Sequence, residues 1–272
     1  MVSSVVLLVV VGASVNYITL VTQRNKTEQT KVDLSQEGRE FVDEFERDLH
    51  QSGYPGCATF NTGNNCTAHL NDATMAVNLA LVSNTQIIFE GDVDGNGTVD
   101  SVQYRLVDSA GTFPPAGTCP CTLQRSQVVK VAGVAPTAQA TAFSQELQNV
   151  VNSGVPAPGS VYGNGLPIAG NVLFGGGMLT NTQYYAAVTT FKDFPVFSAY
   201  DQNGVPVTLP QDDTTAAGQQ NLASIKSIRL TINLLGSTTT GYDIKNKVRP
   251  VVTLVGDARR NNCEPSGTLC VQ

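Results

Sequence analysis

The sequence predicts an α+β fold in which a long N-terminal helix packs on an antiparallel β-sheet head, and three observations carry that expectation. Residues 1–22 contain no charged side chain. Residues 24–50 contain no proline and a single glycine, Gly38, and they space Leu34, Phe41, Phe45 and Leu49 seven, four and four apart with Val42 alongside. That spacing is one stripe of a helix. Beyond residue 53 the pattern changes to short apolar or alternating runs between Gly, Asn, Asp and Pro, which reads as strands and turns.

The uncharged stretch is apolar throughout residues 5–11 and continues with Val15, Tyr17, Ile18, Leu20 and Val21. At about 1.5 Å per residue it rises roughly 33 Å, enough to cross a hydrocarbon core of roughly 30 Å. A cleaved signal peptide would carry a basic n-region, which is missing, and no small-x-small site here is followed by an obvious mature start. The helix then continues, tolerating Gly38 at about 1 kcal/mol. Its outer face carries Glu37, Arg39, Glu40, Asp43, Glu44, Glu46, Arg47 and Asp48, read as a solvated face. It ends at Ser52-Gly53-Tyr54-Pro55-Gly56, where glycine can cap and proline cannot continue. Three regions follow: a hydrophobic half-helix at 1–22, an amphipathic half at 23–52 and a β-rich head at 53–272.

Within the head, strands are expected at 86–90, 101–107, 123–131, 196–200, 225–234 and 248–255. Short helices are expected at 73–81 and 142–151. Residues 155–178, rich in Pro and Gly, are expected to form a long irregular excursion.

The formal charge of -6 and isoelectric point near 4.9 offer no general basic surface for phosphates, so nucleic acid is not an expected partner. Only 14% of the 272 residues are charged, a composition suited to an extracytoplasmic, loop-rich head. Six cysteines fall into local pairs, Cys57 with Cys66, Cys119 with Cys121 and Cys263 with Cys270, which points to disulfides and an oxidising compartment. A bridge across one residue between Cys119 and Cys121 is tight, so pairing of either with another cysteine stays open. Zinc is the competing reading, but no C-x-x-C knuckle is present and the two histidines complete no ligand spacing.

The sharpest chemical motif is Asp92-Val93-Asp94-Gly95-Asn96-Gly97-Thr98-Val99-Asp100, the first nine positions of a calcium loop of the EF-hand type. Asp92, Asp94, Asn96 and Asp100 would supply side-chain oxygens and Thr98 a carbonyl. Gln103 stands where the bidentate glutamate of such a loop would be. A plain Asx-rich turn is the competing reading. No catalytic constellation is expected: His50 and His69 have no nucleophile setting, and Gly175-Gly176-Gly177 lacks the lysine of a phosphate loop. The glycosylation sequons at Asn25, Asn65 and Asn96 are too short a motif to assign.

The span at 2–21, Thr22-Gln23-Arg24 and the run Phe41-Val42-Asp43-Glu44-Phe45-Glu46-Arg47-Asp48-Leu49-His50-Gln51-Ser52-Gly53-Tyr54 resemble the minor pilins of the type IV pilus and the minor pseudopilins of type II secretion, particularly the PilW-like and J-type subunits. Gln86-Ile87-Ile88-Phe89, the acidic loop, Val102-Gln103-Tyr104-Arg105-Leu106 and Leu123-Gln124-Arg125 resemble that family's first strands. Residues 197–204 and 225–230 resemble its later ones, and 132–190 have no counterpart. The resemblance implies a non-enzymatic subunit that primes or caps a filament, with other minor and major pilins and the inner-membrane assembly machinery as partners. It also implies a single inner-membrane pass, an extracytoplasmic head, and peptidase processing with methylation. The family's leader glycine and the glutamate five residues into the mature chain do not precede Met1, so Met1 is expected to be internal to a longer reading frame. The alternative function is a membrane-tethered or tip-displayed adhesin that binds through residues 155–178.

Overall fold

The computed structural model describes residues 2–56, 71–115, 119–152, 195–236 and 251–260. Cys57, Cys66, His69, Cys263, Cys270 and the expected excursion at 155–178 lie outside the described residues. Helix α1 runs unbroken over Val2–His50, about 73 Å at 1.5 Å per residue. The strands are β1 (Leu79–Val82), β2 (Gln86–Gly91), β3 (Asp100–Val107), β4 (Cys121–Val129), β5 (Phe143–Val150), β6 (Phe197–Tyr200), β7 (Pro206–Val207), β8 (Gln211–Asp212), β9 (Ser227–Leu235) and β10 (Val251–Arg259). Helix α2 (Ala216–Ser224) precedes β9 and is capped by Thr215, whose Oγ1 accepts the Gly218 N–H at 3.0 Å. Arg260 closes its other end, with Nη1 donating to the carbonyls of Leu222 and Ile225.

The strands form one antiparallel sheet in the order β7-β6-β9-β5-β4-β3-β2-β1-β8, and β10 pairs with β9 over its full length. β5 and β6 share the opposite edge of β9, at Leu234 and at residues 227–230 respectively. The second half of α1 lies across β5, β9 and β10. It approaches β10 so closely that a Cβ on Gly38 would stand 1.9 Å from Leu254 Cδ1, so the one glycine of the amphipathic half sits at a close contact. Glu46 Oε1 accepts the Asp257 N–H at 3.1 Å, which occupies a backbone donor of this edge strand.

The hydrophobic stripe packs as its spacing predicts. Leu34, Phe41, Val42, Phe45 and Leu49 are buried against Phe89, Tyr104, Leu106, Leu123, Phe197 and Leu234. Phe41 and Phe45 meet the Tyr104 ring edge-on at 5.8 and 5.4 Å, and Phe45 lies 5.7 Å from Phe197, arrangements that add to simple area burial.

Asp48, expected on the solvated face, has a fully buried side chain. Its Oδ2 accepts from Tyr104 Oη at 2.7 Å and from Arg125 Nε and Nη2 at 2.9 and 2.6 Å. Glu44 Oε1 lies 3.5 Å from Arg125 Nε. Burial works against the Arg125 charge, and Tyr104 and Asp48 more than restore it, holding the guanidinium above its ordinary value. Burial, reinforced by the Asp48 charge, pushes the Tyr104 phenol well up, so it remains a donor to the carboxylate.

Two expected helices are strands or extended chain. The expected helix at 142–151 is instead β5 over Phe143–Val150, because a bulge imitates helical spacing. Asn149 adopts a φ of 60° and the β4–β5 register shifts between Cys121 and Leu123, so Leu147 and Val150 both point inward although three apart. At 73–81 the residues are good helix formers, but buried partners take their backbone groups. Glu90 Oε2 accepts the Val77 N–H at 2.8 Å, Lys130 Nζ donates to the Met75 carbonyl at 2.7 Å, and these two side chains pair at 2.8 Å. Residues 79–82 then join the sheet as β1. The short strands β7 and β8 and helix α2 were not expected.

Replacing Asp48 by Ala strands Arg125 and Tyr104 without their acceptor and should cost about 3–5 kcal/mol. The paired change Asp48→Leu with Arg125→Met should recover most of that loss. Urea unfolding of the full chain in detergent measures both, and a single-variant loss below about 1 kcal/mol would show that the hydrophobic stripe alone holds the helix.

Candidate functional site

Two features of the fold bear on function, a projecting apolar half-helix and an acidic loop at the foot of the docked half. Every large apolar side chain from Val5 to Val21 is exposed, from 37% at Val21 to 75% at Leu8, although α1 is continuous through them. This part of the helix is long and apolar enough to cross a membrane. Three of its hydroxyls are satisfied within the helix: Ser14 Oγ donates to the Val10 carbonyl at 2.9 Å, Thr19 Oγ1 to Val15 at 2.9 Å and Thr22 Oγ1 to Ile18 at 2.8 Å. That arrangement suits a helix whose surroundings offer no water. Asn16 is the single carboxamide in residues 2–22, with donors and an acceptor that a neighbouring helix can meet.

The acidic loop joins β2 to β3. Asp92 and Asp100 form its two roots, 8% and 2% exposed, with Gly91 and Asp100 paired across the ladder. Asp92 Oδ2 reaches across the loop to accept the Gly97 N–H at 3.0 Å. Among the described residues its Oδ1 is buried with no hydrogen-bond partner. Asp94 turns its oxygens onto the Asn96 amides at 3.1 and 2.7 Å, and Asn96 Oδ1 accepts the Thr98 N–H at 2.7 Å and the Thr98 hydroxyl. Asp100 Oδ2 accepts from Gln127 Nε2 at 2.7 Å. Gly95 and Gly97 sit at φ 71° and 83°, the left-handed region a reversal of this tightness needs.

Burial pushes the Asp100 carboxyl above its ordinary range, against the Gln127 hydrogen bond, and the charges of Asp94 and Asp92 add to the rise. Residues 92–100 include no Lys or Arg, so three carboxylates share one turn with no cation of that turn among them. Among the described residues no three His, Cys, Asp or Glu side chains already converge as a metal cluster. Asp94 and Asp100 instead face the amides of Asn96 and Gln127. The donor set is nonetheless all oxygen, and the unpartnered Asp92 Oδ1 is an acceptor that a hard cation would satisfy.

Cys119 and Cys121 are bonded to one another at the start of β4, with Cα atoms 4.4 Å apart, which closes the alternative in which either pairs elsewhere. His50 is half-buried on the last turn of α1. The residues the sequence reading missed are Asp48, Tyr104, Arg125 and Gln127 as a network. A signal for Asp48 was present, since it stands seven after Phe41 and three after Phe45 and so belongs to the apolar stripe. No protein-family model matches the chain, and no curated protein matches it.

An aspartate in place of Val10 should cost about 2.5–3.5 kcal/mol at the centre of a membrane-spanning helix. The Val10→Asp chain should therefore shift from the membrane pellet to the alkaline-carbonate extract, with the head still folded by circular dichroism. Unchanged retention in the pellet would mean that residues 2–22 are not what holds the chain there.

Proposed function

We propose that the chain is a minor pilin or pseudopilin, a structural subunit that primes or caps a type IV pilus or type II secretion pseudopilus. The observation that supports this reading best is the division of one continuous helix into a bare apolar half and a half docked along the head. Twelve large apolar side chains between Val5 and Val21 stand open. At about 1.5–3 kcal/mol for each full burial, keeping them in water costs on the order of 10 kcal/mol or more. Such a helix belongs in a bilayer or among other helices.

The two environments differ little in hydrophobic terms, because lipid tails are as apolar as leucine. Transfer of the helix from membrane to filament can therefore proceed without a large barrier from exposed apolar area. What selects the filament is side-chain packing and polar contacts such as those open to Asn16, and the partners on this reading are the helices of other minor and major pilins. The inner membrane holds the subunit before assembly, the head lies outside the cytoplasm, and the assembly machinery of that membrane moves it. The docked half, fixed by the Asp48 network, keeps the head on the filament surface.

Deleting the encoding gene and counting filaments by electron microscopy tests the assembly role. Loss of filaments, restored by the wild-type chain and not by Val10→Asp, is the expected result. Normal filament number with lost surface attachment would instead assign the chain as an adhesin displayed on the filament.

A further inference from the structure

We propose that the acidic loop is a calcium-operated lock on the joint between α1 and the head, with Asp92, Asp94, Asn96, the Thr98 carbonyl and Asp100 as the binding oxygens. Its purpose rests on the filament-subunit reading, but the ion and its effect on the joint do not. Two independent observations point to a ligand. The oxygen types recur at alternate positions through a turn opened by two glycines, as a calcium loop requires. Separately, Asp92 is more than nine-tenths buried, its carboxylate is aimed across the loop by the Gly97 bond, and its Oδ1 has no partner among the described residues. A buried acceptor left unpaired is expensive, and no basic residue of the loop is there to meet it.

Calcium fits better than its rivals. With no nitrogen or sulfur donor in the set, zinc and copper are disfavoured. Magnesium demands a near-ideal octahedron and keeps its waters, whereas calcium accepts a flexible, crowded ring of protein oxygens.

The loop is tied to the joint at both roots. On the β2 side, Gly91 bridges to Ser52, the Gly53 N–H donates to the Glu90 carbonyl at 2.8 Å, and the Asp92 N–H donates to the Tyr54 carbonyl at 2.8 Å. Backbone at the end of the helix is thereby pinned to the loop's first residue. A Cβ on Gly91 would stand 2.4 Å from the Gln51 carbonyl oxygen, so the two segments are in tight contact. On the β3 side, Asp100 accepts from Gln127, whose Oε1 accepts from Arg125 Nη2 at 2.9 Å, and Arg125 holds Asp48. Three hydrogen-bonded steps join a loop carboxylate to the carboxylate that docks the helix. Without a cation, Asp92, Asp94 and Asp100 repel one another and push the roots apart. A bound cation reverses the sign of that force at both ends of the joint.

The test uses the full chain in detergent, stripped with a chelator and titrated with CaCl2, with MgCl2 as comparison. Calorimetry should give a calcium Kd of about 10⁻⁴ to 10⁻³ M, the range of extracellular modules. At ten times that Kd the ratio of folded to unfolded chain should rise about elevenfold. Amide hydrogen exchange should slow at residues 45–54 and 121–129 as well as in the loop. Asp94→Asn, at the exposed tip, should fold normally without calcium and bind at least tenfold more weakly, while Asp201→Asn in a separate turn should change nothing.

No calcium heat and no stabilisation at about 10 mM would remove the site. Equal binding by Asp94→Asn would place it elsewhere, and equal affinity for magnesium would overturn the choice of calcium. Slowed exchange confined to residues 92–100 would leave an ion but no lock. A chain that passes all of these yet never enters filaments would defeat the filament reading and leave the lock standing.

Discussion

Asp48 is a carboxylate set into the middle of a hydrophobic seam, and the docking of α1 is organised around keeping it there. A stripe of Phe41, Phe45 and Leu49 gives the helix reason to lie on the sheet but little reason to stop at one position. Phe41 and Phe45 both contact the Tyr104 ring, and a slip by one turn would exchange one phenyl group for another at small cost. A charge buried in that seam has one acceptable place, beside Arg125 and Tyr104. Removing a partner from such a pair costs far more than the pair contributes in net terms, which makes it a weak source of stability and a strong device for register.

The same constraint explains why the sheet is so complete under the helix. Tyr104 and Arg125 are directly paired residues of β3 and β4, the centre of the strand order. Both faces of β3 are covered: Val102, Tyr104 and Leu106 are buried toward the helix, and Arg105 on the other face stacks on Phe143 with its guanidinium carbon 3.4 Å from the ring centre. The buried Glu90–Lys130 pair plays a comparable part at the margin, holding the chain before β1 in an extended form that its composition does not favour.

Features governed by local pattern were legible in the sequence. The length of α1, its end near Gly53, the strands near 86–90, 101–107 and 196–200 and the acidic turn each follow from spacing or turn chemistry within a few residues. What escaped were the elements decided by distant partners. Residues 73–81 have helical composition and yield to Glu90 and Lys130. Residues 142–151 have helical spacing produced by a bulge at Asn149. Asp48 was assigned to solvent by its chemistry when its position placed it on the buried stripe. The candidate site divides in the same way: the ligand types at residues 92–100 can be read along the chain, whereas the unpartnered oxygen of Asp92 and the link through Gln127 to the helix exist only once β2, β3 and β4 are side by side.

The absence of any break in α1 between its bare and docked halves gives the chain a geometric property. Because an α-helix turns about 100° for each residue and rises only about 1.5 Å, removing one residue from the stretch between Thr22 and Leu34 would hardly change how far the head stands from residues 2–21. It would, however, turn the head to face a different compass bearing around the helix axis. The number of residues linking the two halves therefore encodes an azimuth more than a distance. That stretch, the least buried part of the docked helix, is where a change of length would redirect the head without disturbing its fold.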